Sequence, residues 1–161
     1  MPAGSSAATS PMNFPRPLAT VDVVILTLGA RGLRVLLVQR PGGGDEPFPK
    51  AWALPGGFVD VQKDADLQAC ALRKLHEKTA VRSTYLEQVG SWGARARDPR
   101  GWSITCVYFA LLPQSALHIG KGGNAADVGW FDVEPDGTVP TAGPLAFDHE
   151  RLLTAAWQRI Q

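Results

Sequence analysis

The chain has 161 residues, 45% of them hydrophobic and 19% charged, with a formal net charge of +1. That length suits one domain with a core of its own, and the near-neutral charge provides no global field for nucleic acid or an acidic membrane. No apolar run is long enough to span a bilayer, no basic and then apolar leader opens the sequence, and Cys70 and Cys106 sit in the apolar contexts QACAL and ITCVY, which predicts buried reduced thiols in a cytoplasmic protein.

Residues 1–18, MPAGSSAATSPMNFPRPL, have no periodicity and are expected to form a flexible tail ahead of a single domain over 19–161. Two β-branched or leucine-rich runs, 20–28 and 33–39, are separated by Gly29-Ala-Arg-Gly32, a hairpin signal. The PGGGDEPFP stretch at 41–49 reads as a loop. From Asp64 to about Thr79 the spacing predicts a helix: Leu67, Cys70, Ala71 and Leu75 form its apolar stripe, and Asp64 or Asp66 supplies the cap. Arg73, Lys74, Glu77 and Lys78 gather on its other side at i+3 and i+4 spacing. Strands are predicted at 84–92, 103–112 and 127–133, joined by a charged turn, RARDPRGWS, and a glycine-rich connection, HIGKGGNAA. Pro135–Pro144 is irregular. Phe147–Ile160 closes the chain as a helix with Leu152, Leu153, Ala156 and Ile160 inward and Asp148 as its cap. Several strands and two helices predict an α/β (α+β) domain, an α/β/α sandwich with a mixed sheet between helices.

The chemistry concentrates in residues 54–81, LPGGFVDVQKDADLQACALRKLHEKTAV. This segment resembles the Nudix box, G-x5-E-x7-R-E-U-x-E-E-x-G-U with U aliphatic. Gly56-Gly57 supplies the opening glycine, Arg73 the arginine, Leu75 and Val81 aliphatic positions, and Glu77 the first glutamate of the EE pair. Gly57 to Arg73 is two positions longer than the family spacing. The first glutamate therefore falls on Lys63 counting forward and on Ala65 counting back. The RE pair has become Arg73-Lys74, the EE pair Glu77-Lys78, and the closing glycine Ala80. In Nudix enzymes carboxylates on this helix bind Mg²⁺ or Mn²⁺ through oxygen, and the metals offset diphosphate charge and activate water. Two ammonium groups in their place reverse the local charge. The resemblance implies Glu77 and Arg73 as catalytic candidates, with Glu77 and Gly57 as a weak metal site.

The resemblance narrows further along the chain. Arg97-Asp98-Pro99-Arg100-Gly101 followed by an aromatic-rich strand, the segment LAFDHERLL, and EKT before a small residue are similar to ADP-ribose-directed Nudix proteins, including the Nudix-related regulators of NAD metabolism. On that basis Arg40, Gly56, Gly57, Phe58, Lys74, Lys78, Arg97 and Arg100 are expected to bind an ADP-ribose-like nucleoside diphosphate, the guanidinium forks suiting phosphates. Trp52 and Phe58 are candidates for an adenine pocket. Each set has a plainer reading as a solvated helix network, a surface turn or core filler. His76, His118 and His149 are too scattered for a metal site and read as satisfied surface or core histidines. No basic recognition helix is present, so direct nucleic-acid binding and membrane association are not expected. Related ADP-ribose enzymes are commonly dimers, which admits a homodimer. The sequence favours a ligand-binding or sensor domain with impaired hydrolysis, needing no metal. The alternative is an active pyrophosphohydrolase whose Mg²⁺ or Mn²⁺ is held by Glu77 with Asp60, Asp64 or Asp127.

Overall fold

The β-strand Leu18–Gly29 (β1) organises the sheet, because both of its faces are buried. Val21, Val23 and Ile25 point one way, into a cluster with Cys70, Ala71 and Leu75. Val24 and Leu26 point the other way, into a cluster with Leu152, Leu153 and Ala156. A strand packed on both faces reads as a continuous apolar run, and each fully buried Val, Leu or Ile contributes roughly 1.5–3 kcal/mol. The computed structural model describes residues 13–79, 85–113 and 127–161.

The further elements are β2 (Gly32–Gln39), β3 (Trp52–Ala53), β4 (Gly56–Phe58), α1 (Leu67–Thr79), β5 (Glu87–Ala94), β6 (Ser103–Leu112), β7 (Asp127–Asp132) and α2 (His149–Arg159). A short 3-10 turn covers Pro140–Ala142. The seven strands form one mixed sheet with the backbone order β3-β2-β1-β6-β5. β1 and β6 run parallel from Leu18 opposite Ser103 to Thr27 opposite Leu112. On its other edge β1 meets β2 only from Leu26 to Gly29, and meets β4 from Thr20 to Asp22. β2 turns away to pair with β7 on one side and with β3 on the other. The strands therefore splay, and the β3–β4 segment bridges the gap: Val23 N–H donates to Pro55 O at 2.8 Å and Ala146 N–H to Trp52 O at 2.8 Å. A cleft opens over this bridge.

The sandwich is the expected one, α1 on one face of the sheet and α2 on the other. The differences are local. α1 begins at Leu67 rather than Asp64; Asp66 caps it by accepting from Ala69 N–H at 2.8 Å. β5 lies a few residues later than 84–92. Asp148 precedes α2 but makes no side-chain capping bond. Two short strands, β3 and β4, lie within WALPGGFVD, after the 41–49 loop. Cys70 and Cys106 are free and buried, and burial, the largest influence, pushes the Cys70 thiol up to about 12. Among the described residues no helix is long and apolar enough to cross a membrane. Residues 1–12, the HIGKGGNAA connection, Ala80 and Val81 lie outside the described residues.

Candidate functional site

On α1 the box arginine is locked into the protein. Arg73 Nε and Nη2 donate to the two oxygens of Asp64 at 2.6 Å each, a bidentate pair on a carboxylate whose side chain is only 1% exposed. Arg73 Nη1 reaches Glu77 at 3.1 and 3.2 Å, and Nη2 donates to Phe58 O at 3.3 Å. Lys74 Nζ lies 3.7 Å from the same glutamate. Asp64 Oδ2 also accepts from Asp60 N–H at 2.8 Å, closing the loop that leads into the helix. The hydrogen bond from Arg73 holds the Asp64 carboxyl well below its ordinary value. Lys63 and Ala65 are the positions to which the family spacing leads for the first glutamate; the carboxylate that the Arg73 fork holds is Asp64, between them.

Beneath the cleft lies a second polar cluster, assembled from distant parts of the chain. Asp22, in the middle of β1, accepts from the Thr105 hydroxyl at 2.6 Å and lies 3.3 Å from His149 Nε2. His149 Nδ1 accepts the backbone N–H of Leu54 at 3.0 Å. With Nδ1 an acceptor, the imidazole proton sits on Nε2 and donates to Asp22. Arg97 donates to both oxygens of Asp148 at 3.0 and 2.8 Å and to Ser103 Oγ at 2.9 Å, with Asp22 3.9 Å away. Burial pushes the Asp22 carboxyl up, but His149, Thr105 and Arg97 outweigh it and leave it below the ordinary carboxylate range. Every buried side-chain nitrogen and oxygen among the described residues has a partner, as a polar floor under a cleft requires. Gly56 is what lets β4 lie over this floor: a Cβ there would stand 2.3 Å from Val21 O and 2.5 Å from Asp22 Oδ1.

The cleft walls carry Arg40, Lys78, Arg100, Phe58 and Phe147, with Gly56 and Gly57 at one side. Arg40 Nε donates to Pro47 O at 2.7 Å and Nη2 to Glu46 at 2.8 Å. Arg100 Nε and Nη2 donate to Asp98 at 3.1 and 2.9 Å. Burial lowers the pKa of Arg40 and of Lys78. Phe147 is held at φ 52, and Phe48, whose ring is 4.8 Å away, at φ 53. A left-handed backbone costs a non-glycine residue about 1–2 kcal/mol, so packing fixes both rings against an intrinsic preference.

The structure thus brings Arg40, Gly56, Gly57, Phe58, Lys78, Arg97 and Arg100 to one cleft. Lys74 lies outside its walls, packed over Gly57 and facing a shallow groove with Arg73 and Asp60. Trp52 is not in the cleft either; its ring packs 4.8 Å from Phe131 against the core. His149 is the satisfied core histidine that was expected. Sequence reasoning missed Asp22, Phe147 and the place of Asp64. An aspartate inside the apolar run VDVVIL was a usable signal, because a buried acid in a strand requires partners.

A divalent metal does not fit the residues present. Of the acids that were candidates, Asp64 is closed by Arg73 and by Asp60 N–H, and Glu77 is bracketed by Arg73 and Lys74. Asp60 Oδ1 accepts from Gln62 N–H, and Asp127 Oδ1 from Val128 N–H. No group of three His, Cys, Asp or Glu side chains converges among the described residues, and residues 1–12, 80–84 and 114–126 contain no Asp or Glu.

Residues 17–149 match the family model of the NUDIX domain. The chain is 44% identical over 148 residues to the ADPR responsive transcriptional repressor NtrR of Acinetobacter baylyi, covering 92% of this chain but only 56% of that protein. It is 28% identical over 137 residues to an ADP-ribose pyrophosphatase of Methanocaldococcus jannaschii, covering 85% and 71%. Its fold matches the NUDIX domain of Shewanella oneidensis NrtR complexed with ADP ribose over 100% of both chains, with a TM-score of 0.79 and 40% identity. Shewanella oneidensis NrtR is also known complexed with a 27mer DNA, and the match to it covers 88% of this chain and 61% of that one.

Proposed function

The chain belongs to the NUDIX family, and from that premise we propose that it binds an ADP-ribose-like nucleoside diphosphate in the cleft without hydrolysing it efficiently, as a ligand-responsive domain. The observation that carries this reading is the engagement of the carboxylates. Asp22 and Asp98 in the cleft are bonded to His149, Thr105 and Arg100, and Glu77 on the helix is bonded to Arg73. Four cationic side chains and a glycine pair line the cleft, and among the described residues no group of three His, Cys, Asp or Glu side chains converges to hold Mg²⁺. An anion is welcome there, whereas a metal-activated water has no ligand set. The full-length match to a domain known with ADP ribose supports the same ligand class.

In this proposal Arg40, Gly56, Gly57, Phe58, Lys78 and Arg100 form the walls and Arg97 the floor. The sequence expectation of no direct DNA contact is kept for these 161 residues alone. The NtrR and NrtR relatives extend well beyond the part matched here. A cytoplasmic location and a homodimer belong to the same proposal.

The second reading is an active Mg²⁺-dependent pyrophosphohydrolase, favoured by the 28% identity to a pyrophosphatase. It requires Glu77 to leave Arg73 and bind metal. Calorimetric titration with ADP-ribose, paired with phosphorus NMR in Mg²⁺ or Mn²⁺, separates the two. Binding without new phosphate resonances is the expected result. Metal-dependent formation of AMP would sink the sensor as the sole function, and absence of binding would remove the ligand class.

A further inference from the structure

Three arginines line the cleft, and two of them pair close by in the chain: Arg40 with Glu46 at 2.8 Å and Arg100 with Asp98 at 2.9 Å. Arg97 does not. Its fork holds both oxygens of Asp148, 51 positions away and at the N-cap position of α2. The next residue, His149, opens the helix and bonds the same floor, with Asp22 at Nε2 and the Leu54 N–H at Nδ1. The residue before, Phe147, lines the cleft with a left-handed backbone. Residues 147–149 are thus each held by the cleft rather than by the helix they begin. The helix goes without its cap as a result. An aspartate at this position ordinarily accepts the N–H of the second or third helical residue, here Glu150 or Arg151, from an extended backbone. Asp148 stands at φ −100 and ψ 22 and makes no such bond. A turn about its Cα–C bond toward the extended form would move the carboxylate and Phe147 together relative to α2.

We propose that Asp148 is a two-position relay between the cleft and α2. Two partners compete for its carboxylate: Arg97, which holds it in this structure, and the first-turn amides of α2. A diphosphate in the cleft carries more charge than one carboxylate and suits the same guanidinium fork, so it draws Arg97 away from Asp148. The released carboxylate has its second partner at hand in the N-terminal amides and dipole of the helix, and it caps α2. A ligand shifts two arrangements only as far as its affinity for them differs, and the fork of Arg97, free in one arrangement and filled in the other, supplies that difference. Occupancy of the cleft is then expressed as order in the first turn of α2. The inference rests on the ligand class proposed above and adds the route by which binding is felt outside the cleft.

The test is amide hydrogen exchange at Glu150 and Arg151, read by NMR with and without saturating ADP-ribose, in the wild type, Asp148→Asn and Asp148→Ala. Calorimetry on the same samples establishes that the ligand is bound. Asparagine caps a helix as well as aspartate does but has no charge for Arg97 to hold; alanine can do neither. In the wild type ADP-ribose is expected to slow first-turn exchange about 5-fold, the worth of one cap. Asp148→Asn should exchange slowly from the start and change less than about twofold with ligand. Asp148→Ala should exchange fast in both states. Asparagine keeps the shape of the side chain, so that variant keeps the test alive if Asp148→Ala fails to fold. Unchanged exchange in a wild type with ligand bound overturns the relay and leaves the ligand class standing. So does equal slowing in wild type and either variant, which would mean that the ligand itself shields the turn. A wild type that does not bind ADP-ribose overturns both.

Discussion

Two carboxylate–guanidinium clusters sit about the same sheet and behave differently. The α1 cluster, Asp64–Arg73–Glu77, is local in sequence, and its arginine side chain remains 20% exposed. The cleft-floor cluster, Asp22–His149–Arg97–Asp148, joins β1, the turn before β6 and the start of α2, and its arginine side chain is 6% exposed. Both bind their carboxylates to internal partners. In the first this closes the face where Nudix enzymes hold metal. In the second it builds a neutralised floor on which a ligand can rest. In the proposed reading one family frame loses its metal chemistry and keeps its cleft, because different residues hold each.

The comparison can be broken from either side. Arg97→Met should be the most damaging change, costing about 3–5 kcal/mol, because it leaves buried Asp22 and partly buried Asp148 without their cation; it should also weaken ADP-ribose binding. Urea unfolding and calorimetry on the same protein check both. Gly56→Ala should cost about 3 kcal/mol, near the upper end for overpacking, since the added methyl meets strand backbone that cannot move aside. An unchanged urea midpoint would mean that β4 is less tightly seated than it stands here.

Arg73→Met should cost about 2 kcal/mol, the loss of charge-assisted hydrogen bonds to Asp64, and leave ADP-ribose affinity intact. A large loss of affinity would tie the α1 cluster to the ligand after all. The pH dependence has a defined sign. The Asp64 carboxyl titrates lower in the folded protein than its ordinary 3.8. Its contribution is then complete above about pH 4 and is lost as the pH falls below that. Asp64→Asn should flatten this acid limb while lowering stability at neutral pH; a wild-type limb as flat as the variant's would refute the pairing. Glu77→Gln should be the mildest change, within about 1 kcal/mol, as befits a half-exposed helix pair.

The fold was legible because its signals are periodic. β1 and β2 alternate or run apolar, and α1 and α2 repeat at helical spacing. The 103–112 strand matched to the residue. β3 and β4 have no periodic signal of their own, because Pro55, Gly56 and Gly57 interrupt the run and the splay between β1 and β2 makes strands of their neighbours. The α1 cluster was half legible: i+4 spacing paired Arg73 with Glu77, but a pattern with a fixed loop length cannot say where two inserted residues go, and Asp64 read as a cap or a metal ligand rather than as the partner of Arg73. The cleft floor was illegible as a unit, since Asp22 meets His149 only through the packing of α2 on the sheet. Arg97 and Arg100 were placed at the cleft, yet sequence gave no sign that Asp148 and Asp98 would fill their forks.

The central claim is that ligand binding here does not run through a metal on Glu77. The direct measurement is ADP-ribose affinity in Mg²⁺ and again in a chelator, for the wild type and for Glu77→Gln. One affinity in all four conditions and no AMP in any is the expected result. Affinity or AMP formation that appears only with Mg²⁺ and vanishes in Glu77→Gln would contradict it.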